Sequence, residues 1–186
     1  MAPMLGIMAS AISGHLFAPS GAYDSIATVT VGSGGSSSIS FSSIPATYTH
    51  LQIRALTSNA SYSTSSASLY LNSDTTAGNY RNHYLFGSGS SAAAGTDGNS
   101  AGNGMMGSGM STGPAAWVID LLDYKDTNKY KTIRLLNGWD ANGSGYAWFG
   151  SNLWMNTAAV STFTITTGVG TFAQYSSFAL YGIKGA

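Results

Sequence analysis

Ser100 stands in Gly98-Asn99-Ser100-Ala101-Gly102, the G-x-S-x-G spacing that mounts a serine nucleophile on a sharp strand-to-helix turn. That elbow needs a strand before it and a helix after it. The pentapeptide lies instead in a run of Gly, Ser, Ala and Asn with neither pattern. Gly102, Gly104 and Gly107 meet the phosphate-cradling spacing G-x-G-x-x-G, again without the flanking strand and apolar helix of a dinucleotide site. Asp120, Asp123 and Asp126 recur at every third position. On a helix they would share a face and offer carboxylates to a hard cation. The segment reads instead as a strand entering a turn, where Asp caps its own backbone. His15, His50 and His83 have no ligand partner at metal spacing. The chain has no glutamate, so a pair of acid and base carboxylates would have to be two aspartates. Asp123 and Asp140 come nearest to such a pair. The expectation is a protein that is not an enzyme, with no catalytic residue, no cofactor and no bound metal.

Trp139, Tyr146, Trp148 and Trp154 form a second group, clustered in sequence with Phe149. Exposed rings of this kind stack on sugars; buried ones fill cores and interfaces. The three Trp alternate with apolar residues in strand-like segments, which favours packing. Both uses stay open, as glycan contacts or as interface aromatics.

The elements that carry these residues are made of unusual material. Charged residues are 8% of the chain and the formal net charge is +0, where soluble domains average about 25% charged residues. Ser, Thr, Asn, Gly and Tyr must build the surface, and such a surface does little to keep copies apart. It suits a chain that assembles. Seven basic residues, dispersed and matched by seven acids, offer no phosphate-tracking patch, so nucleic acid is not an expected partner. No apolar run approaches the ~20 residues that span a bilayer, so no membrane partner is expected. With no cysteine there is no disulfide framework and no thiolate metal site.

Aromatic and β-branched residues are common and strong helix formers scarce, which favours strands. Ser25–Val31, Ser38–Ser43 and Tyr48–Thr57 alternate apolar and polar residues, with Ile39 and Phe41, then Leu51, Ile53 and Ala55, facing inward. Gly34-Gly35 supplies hairpin chemistry between the first two, and Ile44-Pro45 ends the second. Ala67–Asn72 places Leu69 and Leu71 inward, and Asn79–Phe86 reads as a strand aromatic on both faces. Five further strand candidates follow from Ala115 to Lys184. Residues 87–113 read as one long Gly/Ser-rich loop, with Met105, Met106 and Met110 as an adaptable contact surface. Eight to ten short strands and no long helix predict an all-β chain. The expected fold is an antiparallel β-sandwich of jelly-roll type spanning 22–186, preceded by an extended N-terminal arm over 1–21. The arm lacks the basic start of a signal peptide. Its Met4, Leu5, Ile7, Met8, Leu16 and Phe17 need cover, either from a neighbour or as a strap on the chain's own core.

Four segments together carry a resemblance: LGIMASAISGHL, then SGAYDSIATVTVGSGGSSSISFSSIPATYTHLQIR, then WVIDLLDYKDTNKYKTIRLLNG, and the terminal SSFALYGIKG. This arrangement resembles a family of small virion structural proteins of tailed bacteriophages. The likeness covers most of the chain outside 87–113, and its motifs are structural strands. It implies a virion component, on the capsid exterior or the tail. The first expectation is a capsid decoration or cement protein, a homotrimer that bridges subunits of the major capsid protein through the arm. The alternative is a tail-fibre or head-fibre domain that binds a host surface glycan.

Overall fold

The computed structural model describes residues 21–63, 65–96 and 105–185, with the backbone alone for 105–110. Strands in chain order are β1 (Tyr23–Thr30), β2 (Ser38–Phe41), β3 (His50–Thr57), β4 (Ser65–Leu71), β5 (Tyr80–Gly87) and β6 (Ala92–Gly95). They continue as β7 (Met105–Met110), β8 (Ala115–Leu122), β9 (Lys131–Asp140), β10 (Gly145–Trp154), β11 (Phe163–Thr167) and β12 (Ser177–Ile183). A 3-10 turn, Ala77–Asn79, precedes β5.

All pairings are antiparallel, in an eight-stranded sheet β1-β12-β3-β8-β9-β10-β5-β6 and a four-stranded sheet β2-β11-β4-β7. The quartets β1-β12-β3-β8 and β2-β11-β4-β7 are the two sheets of a jelly roll, with the chain crossing between them. Two insertions complete the large sheet. The β5–β6 hairpin and the β9–β10 pair add four strands beyond β8. The expected sandwich therefore forms, with one sheet twice as wide as the other.

Alternation explains the core. Leu51, Ile53, Leu69, Leu71, Ile133, Leu135, Phe163 and Leu180 are each within 1% of full burial. They project into the space between the sheets from β3, β4, β9, β11 and β12. Trp117 joins them, its indole N–H bonded to Thr57 Oγ1 at 2.9 Å.

Several expectations are corrected. β1 and β2 lie in different sheets, so Gly34-Gly35 turns a crossover rather than a hairpin. Gly35 keeps a positive φ of 72°, and a Cβ there would lie 2.6 Å from Thr171 Oγ1. Ile26 is the extra residue of a bulge: Ser25 pairs with Tyr181 and Ala27 with Leu180. β5 is not aromatic on both faces. Tyr80, Tyr84 and Phe86 share the inward face, and Arg81, His83 and Leu85 point out. The segment 87–113 is not one loop, because it contains β6 and β7.

Candidate functional site

Among the described residues, one face of the wide sheet has no second layer. On it the pleat aligns side chains in rows across the strands. One row reads Val118, Leu136, Phe149, Leu85, Ala94 from β8 to β6. Leu136 and Leu85 are each 56% exposed and Phe149 is 42% exposed, so this is a ridge of large apolar groups in solvent. The neighbouring row reads Ala116, Gly138, Ala147, Gly87, Ala92. These residues present almost no side chain, so the ridge is flanked by a shallow groove.

The far side of the ridge is polar. Its row runs Tyr181, Gln52, Asp120, Arg134, Ser151, His83. Gln52 Nε2 donates to Asp120 Oδ1 at 2.7 Å, and Arg54 Nε donates to Gln52 Oε1 at 2.7 Å. The Arg54 guanidinium lies 5.5 Å from the Tyr23 ring centre and 5.8 Å from that of Tyr181. These contacts secure the β1–β12–β3 end of the face. Arg134 and Asp140, both exposed on β9, have no ion pair among the described residues.

The inward face of the same extension holds the aromatic group. Trp148 stacks on Tyr84 at 4.2 Å and on Phe86 at 5.3 Å between ring centres. Phe86 meets Tyr146 at 5.7 Å, and Tyr146 meets Trp139 at 5.7 Å. Trp154 is buried and its Nε1 donates to Asp74 Oδ2 at 2.7 Å. Of the four candidate residues, Trp139, Trp148 and Trp154 are thus buried packing groups, and Tyr146 is half-buried. Trp139, Asp140 and Tyr146 also line an open depression of about 490 Å³ between the Ser88–Gly89 and Gly143–Ser144 turns. The backbone of β7 passes close to β9, β10 and β5. Among the described residues, Trp148 Nε1 and both amide atoms of Asn152 have no partner.

The three spaced aspartates do not converge. Asp120 bonds Gln52 on the outer face, whereas Asp123 and Asp126 both hold Lys129, at 2.8 and 3.2 Å. Lys129 itself thereby holds its proton more firmly, through the hydrogen bonds it donates to the carboxylates of Asp123 and Asp126. No group of three metal-ligating side chains occurs among the described residues. Asp123 lies in the β8–β9 turn and Asp140 at the opposite end of β9, about 30 Å away at strand rise, which overturns them as a facing acid–base pair. His50 accepts the Asp123 amide on Nδ1 at 3.0 Å, and His83 is exposed on the outer face. Met4, Leu5, Ile7, Met8, Leu16 and Phe17 lie outside the described residues, as do His15, Ser100 and Gly102.

Sequence reasoning missed the groups that attach the extension to the roll. Asp74, between β4 and β5, accepts from Trp154 Nε1, Asn79 Nδ2 and the Thr76 amide. Partial burial pushes its pKa up, but these bonds outweigh that and hold it below the ordinary carboxylate value. Lys131 is fully buried, and its ammonium bonds the carbonyls of Asp126, Lys129 and Thr157. Desolvation lowers its pKa. A lysine at an inward position of an alternating strand was the available signal.

No helix among the described residues is long and apolar enough to cross a membrane. No family model, no curated protein and no solved structure matches this chain.

Proposed function

We propose that this chain is a non-catalytic structural component of a tailed-phage particle, held in place by its neighbours. The observation that carries this reading is the uncovered ridge of Val118, Leu136, Phe149 and Leu85 on a nearly uncharged surface. A row of large apolar side chains kept in water is costly unless a partner covers it. The first role is capsid decoration: each contact is modest, and a lattice of copies bridging the major capsid protein sums them. The arm over 1–21 is the second point of attachment in this reading.

A second reading has its own observation. The depression beside Trp139, Tyr146 and Asp140 combines aromatic edges with a carboxylate, at the tip formed by two turns. A head-fibre or tail-fibre domain would use that tip for a host glycan. Burial of Trp139, Trp148 and Trp154 removes three of the four open stacking faces this role would have used, leaving Tyr146 and the edge of Trp139 at the tip.

Counting copies per virion by quantitative mass spectrometry separates the roles. Hundreds of copies are expected for decoration. A handful would place the chain on a fibre, and absence from purified virions would overturn both readings.

A further inference from the structure

We infer that two copies of this chain pack face to face through the outer surface of β8–β9–β10–β5–β6, about a two-fold axis that runs across the strands. The inference rests on reading that face as a contact surface, not on the particle to which it belongs.

Strand β9 carries the argument. After Thr132 its outward residues read Arg134, Leu136, Gly138, Asp140: a cation, a large apolar group, no side chain, an anion. A two-fold axis midway between the ridge and the groove exchanges the two rows. It seats Leu136 over the Gly138 of the second copy and sets Arg134 against the second copy's Asp140. The same operation brings Phe149 of β10 over the other copy's Ala147, which shares the Gly138 row. One face thus supplies both halves of its own complement, as an isologous interface requires. The two charges it brings together are exposed and have no ion pair among the described residues.

Only β9 and β10 carry all four outward rows, while β8 and β5 carry three and β6 two, so the face covers on the order of 520 Å² a side before side-chain corrugation is counted, a contact smaller than the roughly 800 Å² a side of a standard interface. The groove of Gly and Ala lets the two backbones approach.

The test uses sedimentation equilibrium on the full chain, with circular dichroism to follow folding. The unaltered protein should be a dimer. Arg134→Asp and Asp140→Arg alone should each weaken self-association at least about tenfold, because like charges then face each other twice. Mixing those two variants should restore pairing, since every facing pair becomes opposite in sign. The double charge swap should self-associate like the unaltered chain. A monomer at all concentrations would overturn the inference, as would single variants that pair normally. So would self-association lost on deleting residues 1–20 but untouched by the charge swaps, because the arm would then be what covers the face. A dimer that is absent from virions would leave this interface standing and sink the proposed function; a monomer found at high copy on the shell would do the reverse.

Discussion

The Trp154 indole and the Asp74 carboxylate meet at 2.7 Å although 80 residues separate them in the chain. This bond fastens the last residue of β10, at the end of the second insertion, to the segment that leaves the jelly roll for the first. Asp74→Ala leaves a buried indole N–H unpaired, an expected loss of about 1–3 kcal/mol in urea unfolding. An unchanged midpoint would show that the clasp carries no weight.

The same carboxylate sets a pH dependence. Its pKa is lowered on folding from the ordinary 3.8. The stabilisation is therefore present in full above that value and is lost as pH falls through the depressed folded value. The stability gap between the native chain and Asp74→Asn should be constant at neutral pH and shrink below about pH 4. A gap that instead widens on acidification would reverse the assignment.

Lys131 is a cation inside the protein, held by three backbone carbonyls. Lys131→Met keeps the stem and strands those carbonyls. The expected cost is about 1–3 kcal/mol by denaturant titration, with the β8–β9 turn gaining hydrogen-exchange rate first.

Trp148 and Tyr146 separate packing from binding. Trp148→Ala empties the stack between Tyr84 and Phe86 and should cost about 3–5 kcal/mol. Tyr146→Ala should cost less, because Tyr146 is only half-buried. If the tip binds glycan, that milder variant should abolish retention on a host polysaccharide column while remaining folded.

Asn152 is 2% exposed with neither amide atom partnered among the described residues. Asn152→Leu keeps the branched side-chain skeleton and removes the polar atoms, so thermal unfolding should register a gain of about 1 kcal/mol. A loss would mean that the amide has a partner in solution.

Deleting residues 1–17 should leave the sandwich folded and abolish attachment to the particle. A truncated chain that fails to fold would make the arm part of its own core.

Alternation made most strands readable, because burial on a single side writes the pleat into residues such as Ile39 and Phe41 or Leu51 and Ile53. β6 and β7 were not readable. Their residues are Ala, Gly, Ser and Met, and they are strands because β5 and β4 offer hydrogen-bonding edges. The clasp on Asp74 was silent, and the burial of Lys131 showed only as a lysine at an inward position of an alternating strand, since a charge is retained inside only where distant backbone or side-chain groups converge on it.

By itself the sequence determined an all-β chain poor in charge, with inward faces that can be named residue by residue, because period and composition are local properties. Tertiary structure alone decided that two insertions widen one sheet past the cover of the other. Which strand lies beside which is set by contacts between segments far apart in the chain. That choice places Leu136, Phe149 and Leu85 in one exposed row.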